Sequence, residues 1–230
     1  MMKPKMPIDG SKPLPRVLLI SLSRESSFFG DLYGELLTGI RRAKATMQEA
    51  KSPEAAIHVL RTNPAPVIII ITDQALTLKE HAHVWNAILT SVRQGSTAVI
   101  TGSFSSFARP SDLKPFFSKA GLPWEAGTYM RTTVALNPEA PGTDLARHLP
   151  LKYSQKALFL KNVAPSESWY MTNADSVLES HVFAPQSANT PGESPIVLGR
   201  VGEGRLGYVG DVNGEDSTQV VVVAMCGLLV

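Results

Sequence analysis

The 230-residue chain has a single cysteine, Cys226, which excludes an intramolecular disulfide and a cysteine metal cluster. Charge of one sign is not in excess either. The 22 basic and 20 acidic residues leave a formal net charge of +2, so no global field is available to hold nucleic acid or an anionic membrane surface. Long apolar runs are lacking too: segments such as 66–72 are far shorter than the roughly 20 residues a membrane helix needs. No two of the five histidines have the spacing of a metal site, and the segment Ser21–Ser27 after the first apolar run has neither a P-loop lysine motif nor a G-x-G-x-x-G. No metal and no cofactor are therefore expected. Residues 1–15 carry Lys3, Lys5, Lys12, four prolines and a glycine, without the apolar centre of a secretory signal. They read as a disordered N-terminal arm, and the protein as soluble and cytoplasmic.

What is present is enough apolar material, 43% against 18% charged, to bury the core of one α/β domain over residues 16–230. Arg16–Leu22 is a short continuous apolar run, the pattern of a strand covered on both faces, and is expected to be the first and central strand. In 31–43, Leu32, Leu36, Leu37 and Ile40 recur at helical spacing. Residues 45–50 read as a weak edge strand, because Ser52 and Pro53 then open a new helix to Leu60. Pro66–Asp73, with four consecutive isoleucines, is the clearest strand. Thr77 and Glu80 have capping-box spacing before a helix whose stripe is Val84, Ile88, Leu89 and Val92 and whose stop is Gly95. Ser96–Thr101 is the next strand, and 113–120 a short helix with Pro115 in its first turn.

Alternating strands and helices of this kind predict a parallel sheet with right-handed crossovers. Beyond Leu122 the texture changes to β-segments at 128–136, 156–160, 177–183, 196–201 and 205–209, some antiparallel. Gly202–Gly204 would turn the last two into a hairpin, and a helix starting near Asp216 or Ser217 closes the chain. These extra segments would either cover a site mouth or form the seam of a homodimer.

The order of elements and three strings, Val67–Asp73, Val92–Ser106 and Gly202–Asp211, resemble the class I glutamine amidotransferase-like superfamily, in particular its cysteine-less, trehalose-utilisation-type and fungal uncharacterised members. The resemblance covers most of residues 16–229. It implies a flavodoxin-like three-layer α/β/α sandwich with a mainly parallel central sheet and extra β-segments in the C-terminal half. Active amidotransferases of this fold carry a cysteine on a tight turn after a central strand, backed by a histidine. Here that turn is Gly102-Ser-Phe-Ser105, and Asp211-Val-Asn213 occupies the region of the histidine. Both departures weigh against glutamine hydrolysis. The resemblance instead implies a small-molecule enzyme of hydrolase or lyase type, with a catalytically silent binding or assembly module as the alternative.

In an open parallel sheet, ligands bind beyond the carboxyl ends of the strands. That rule gathers Ser21, Ser23 and Arg24, then Asp73 and Gln74, then Gly102, Ser103 and Ser105, then Asp211 and Asn213 onto one rim. Ser103 either presents a nucleophilic hydroxyl beside helix-oriented N–H groups or hydrogen-bonds its own loop. Asp73 and Asp211 either form an acid–base pair or cap loops. His81 or His83 is the nearest candidate base, and solvation the alternative for each. Ser103, Asp73, Asp211 and His81 are thus the catalytic candidates. Ser23, Arg24, Gly102, Phe104, Ser105 and Asn213 are the candidates for holding a small-molecule ligand. Aromatic residues from Phe104 to Tyr129 either wall an apolar pocket or pack in the core. Arg109 and Arg131, flanking them, either meet a carboxylate or are solvated.

Overall fold

The structure is a computed structural model that describes residues 14–23, 30, 33–62, 64–180, 182, 184 and 186–229. Arg24, His181 and nearly all of the N-terminal arm lie outside the described residues. The elements run β1 (Arg16–Ile20), α1 (Gly34–Arg42), β2 (Thr46–Ala50), α2 (Pro53–Leu60), β3 (Ile68–Ile71), α3 (Ala82–Arg93), β4 (Thr97–Ile100), α4 (Phe104–Phe107) and α5 (Pro110–Ser118). The second half adds β5 (Glu125–Leu136), α6 (Thr143–Ala146), β6 (Lys152–Lys161), β7 (Ser168–Met171), β8 (Glu193–Ser194), β9 (Ile196–Val201), β10 (Gly204–Val209) and α7 (Asp216–Met225). All ten strands join one sheet in the order β2-β1-β3-β4-β10-β9-β7-β5-β6-β8.

The four isoleucines of β3 show why an unbroken apolar run suits this position. Ile69 and Ile71 pack with Val84, Trp85 and Ile88 of α3 on one face, while Ile68 and Ile70 pack with Leu36 of α1 and Val222 of α7 on the other. A strand covered on both sides has no polar face to alternate with. Ser52 caps α2 as its sequence position requires, its Oγ accepting from the Ala55 N–H at 3.2 Å. The expected edge strand is β2, paired in parallel with β1 and exposed at four of its five residues.

Several expectations are corrected. The sheet is mixed, and it is not mainly parallel. β2, β1, β3, β4 and β10 run the same way, but β9, β7, β5, β6 and β8 are all joined by antiparallel pairings. The cause is the shortage of crossover helices after α5. Consecutive strands there turn back directly, as β9 does into β10 with Val201 opposite Gly204. β1 is not central; it lies one strand from the β2 edge. Thr77 and Glu80 form no capping box, since the Thr77 hydroxyl donates to the Gln74 carbonyl, and two 3-10 turns, Gln74–Thr77 and Lys79–His81, precede α3. Pro115 lies inside α5, because Pro110 fixes the start of that helix three residues earlier than expected. Residues 177–180 make only isolated bridges, Val177 to Ser187 and Leu178 to Thr132, whereas β7, not foreseen, supplies the link between β5 and β9.

One further pairing positions the site. The chain leaving β10 lies against β6: the Leu158 N–H donates to the Gly210 carbonyl at 3.0 Å, Ala157 bridges Asp211, and the Val212 N–H donates to the Lys156 carbonyl at 2.9 Å. β10, β9, β7, β5 and β6 thereby close into a ring of pairings, with Asp211 at its seam.

Candidate functional site

The carboxyl ends of β1, β3, β4 and β10 are neighbours pointing one way, so the residues that follow them do share a rim. At the corner of β1 and β3, Ser21 and Thr72 join hydroxyls at 2.7 Å. Asp73 is buried and accepts from the Ser23 N–H (2.9 Å) and the Ala75 N–H (2.9 Å), so each of its oxygens ties down a loop. Ser103 follows β4. Its N–H and its hydroxyl both donate to the Thr72 carbonyl, at 2.8 and 3.2 Å. Among the described residues, no imidazole or carboxylate hydrogen-bonds that hydroxyl. The left-handed position of this turn is Gly102, with φ of +71°, while Ser103 is an ordinary αR residue. The residue at the bend of the elbow therefore carries no side chain.

The other candidates separate. Ser105 points beneath the rim, its Oγ reaching the Tyr208 hydroxyl at 3.1 Å and the Val209 carbonyl at 3.3 Å. Phe104 is fully buried, its ring 5.6 Å from that of Phe116 and 6.2 Å from that of Tyr208. Most of the aromatic group is core: Trp85 stacks on Phe116 at 4.1 Å, and Phe117 meets Trp124 edge-on. Phe107 and Tyr129 are exposed. His81 closes the second 3-10 turn, with Nε2 3.6 Å from Glu80; hydrogen bonds from the Glu54 N–H and Ser52 lower the carboxyl pKa of Glu54 in α2, with smaller contributions from His83 and then His81. His83 is exposed, with Nδ1 at the Glu80 carbonyl.

Among the described residues, Asp211 is the acid whose pKa is raised. It is fully buried, and burial raises its carboxyl above the usual range, opposed by bonds from Thr218 and from the Asn213 and Glu215 N–H groups (2.8 and 2.9 Å). Asn213 thus contributes its backbone here, while its side-chain amide reaches Glu215 at 3.4 Å. Arg131 meets Glu215 at 2.7 Å and Ser154 at 3.2 Å, so of the two flanking arginines this one has a carboxylate partner. The Tyr33 hydroxyl lies beside Thr101, the Gly102 N–H and Asp211, and burial and that acid both raise its pKa. Tyr33, Thr101, Gln155 and Thr218 are buried around Asp211 on the α1–α7 face. Sequence reasoning passed over all four. A period-2 reading of Tyr153, Gln155, Ala157 and Phe159 would have marked Gln155 as a polar residue on an inward stripe.

Cys226 offers no alternative nucleophile, since burial at the end of α7 pushes its thiol up to about 12. Among the described residues, no group of three His, Cys, Asp or Glu side chains converges as a metal site would. Nor, among those residues, is any helix long and apolar enough to cross a membrane.

No protein-family model and no curated protein matches the chain. Solved structures do. A ThuA-like protein from Bacteroides uniformis superposes with a TM-score of 0.59 over 96% of this chain and 94% of its own, at 11% identity. The chain shares the fold of ThuA-like proteins. A second ThuA-like protein, from Parabacteroides merdae, gives 0.52 over 94% and 91% at 13% identity. A cytoplasmic protein from Salmonella typhimurium LT2 gives 0.54 over 93% and 98% at 12%. At such identities the likeness speaks to architecture alone, and the residues must carry the chemistry.

Proposed function

We propose that this chain is a small-molecule enzyme of the cysteine-less amidotransferase-like type, a hydrolase or lyase and not a glutamine amidotransferase, with Asp211 as its general acid–base. The observation that carries this reading is Asp211 itself: a fully buried carboxyl, raised by its surroundings, at the carboxyl end of the strand where the parallel and antiparallel halves of the sheet meet. A carboxyl raised in this way holds a proton closer to neutral pH and can both give and take one. Covalent catalysis has less support. Gly102 holds the bend, the Ser103 hydroxyl is spent on a carbonyl, and the thiol is buried elsewhere. Ser103 and Asp73 then act by fastening the loops after β1, β3 and β4, with Ser23, Gly102 and Asn213 facing the ligand. We place this activity inside the cell, in keeping with the cytoplasmic protein of like fold.

A thermal-shift metabolite screen would supply a ligand, because a molecule that binds the folded state raises its apparent stability. With that ligand as substrate, Asp211→Asn should lower turnover about 100-fold or more, the usual worth of a general acid–base, while Ser103→Ala stays within a few-fold of wild type. Turnover lost in Ser103→Ala and kept in Asp211→Asn would reverse the assignment. A second reading, the silent binding module, is favoured by the engagement of both oxygens of Asp73 and of Asp211 with backbone N–H groups. It expects binding with no turnover in any of the proteins.

A further inference from the structure

β6 presents Tyr153, Gln155 and Ala157 in succession to the α1–α7 face of the sheet. Ala157 lies opposite Asp211. The Tyr153 hydroxyl is 3.1 Å from that of Thr218, and Thr218 in turn bonds Asp211. Gln155 is therefore bracketed on its own strand by the two residues that lead to Asp211. It is fully buried, yet among the described residues neither Oε1 nor Nε2 has a hydrogen-bond partner. The neighbours are already engaged: Asp211 with two backbone N–H groups, Thr218 with Tyr153, and Thr132, directly across on β5, with the Val177 carbonyl.

Buried amides in folded proteins almost always have partners, and one left without any disfavours the folded state unless something other than the protein completes it. We infer that Gln155 is a ligand-recognition residue whose amide binds a small neutral molecule carrying a hydrogen-bond donor and an acceptor on adjacent atoms, held with its reacting end toward Asp211. The paired demand follows from the amide, which offers one donor edge and one acceptor edge. Neutrality follows from the surroundings. Tyr153, Ala157, Thr132, Asp211 and Thr218 include no cation, and the buried acid repels an anion. Vicinal diols, hydroxyketones and carboxamides share this chemistry. A hollow of about 460 Å³ lies between α1 and α7, lined by Gly34, Glu35, Thr38, Arg41, Asp216 and Gln219, the last next in sequence to Thr218. Because Gln155 is closed off, admission displaces a neighbouring side chain, and affinity is reduced by that cost.

This inference rests on the reading of the rim as a small-molecule site, and its test separates the two. Propane-1,2-diol, hydroxyacetone and acetamide would be titrated against wild type and Gln155→Met, with lactate as the charged control, and Tm followed. Without ligand, Gln155→Met should have a Tm equal to wild type or about 2–4 °C higher, since it removes an unsatisfied amide at constant shape. At least one neutral probe should raise the Tm of wild type and not of Gln155→Met, and lactate should raise neither. A lower Tm for Gln155→Met, repeated in Gln155→Leu, would mean that a buried water satisfies the amide and that its role is structural. Equal probe responses in wild type and variant would also overturn the inference. If it falls while Asp211→Asn still abolishes turnover, the acid–base reading stands alone. If Asp211→Asn retains turnover while the probe response depends on Gln155, only that reading falls.

Discussion

Gly210 lies where β10 passes β6, and a methyl group there tests the seam that carries Asp211. A Cβ on Gly210 would lie 2.1 Å from the Leu158 carbonyl oxygen and 3.0 Å from its carbon, both backbone atoms that cannot rotate away. Its φ is not in the left-handed region, so the expected effect of Gly210→Ala is steric. Overpacking of this kind costs about 1–3 kcal/mol. Moving the strands apart also breaks the bond from Leu158 N–H to Gly210 O (3.0 Å), worth about 1 kcal/mol. The sum is roughly 2–4 kcal/mol, which at about 2–4 °C per kcal/mol for a domain of this size lowers Tm by on the order of 10 °C. Gly34→Ala, with nothing within 4 Å of its Cβ at the start of α1, is the control and should be neutral or slightly stabilising. Differential scanning fluorimetry reads both. A Gly210→Ala Tm within about 2 °C of wild type would show that β6 and the exit of β10 are not held in contact.

Three other outcomes follow from the same contacts. Phe116→Ala removes the ring stacked 4.1 Å from Trp85 and should cost about 3–5 kcal/mol in chemical denaturation; a loss below about 1 kcal/mol would place that ring outside the core. Asp73→Ala strands the N–H groups of Ser23 and Ala75, of which Ala75 is buried, and should cost about 1–3 kcal/mol, whereas a neutral result would show that water replaces the carboxylate. Asp211 has a folded-state pKa above its unfolded one. The native state therefore binds the proton more readily, and its stability falls as pH rises from about 4 through the folded value. Wild type should accordingly gain stability relative to Asp211→Asn as pH is lowered from 7 toward about 4, and a relative loss would contradict a carboxyl raised by burial.

The local chemistry of the first half was legible in the residues themselves. Four isoleucines in a row name a strand covered on both faces, Ser52-Pro53 names a helix start, and Gly95 names a stop with φ of +118°. The placing of Ser21, Asp73, Ser103 and Asp211 on one rim followed, because parallel neighbours must end on the same side. Less legible were the two turns between Asp73 and α3, where the Thr77 hydroxyl found a closer partner in the Gln74 carbonyl than in a helix end. Gln155 was overlooked because nothing in its own strand distinguishes a satisfied amide from an orphaned one.

Sequence alone, then, determined most of the strands and helices of the first half, since side-chain volume, branching and capping act over a few residues. It also determined that the elbow after β4 lacks a thiol. Only the tertiary structure decided that half the sheet runs antiparallel, that β6 folds back onto the exit of β10, and that Asp211 and Gln155 are shut into one interior. Those outcomes depend on contacts between residues some fifty positions apart, such as Ala157 and Asp211. The free energy of such contacts belongs to the assembled sheet and to no single segment.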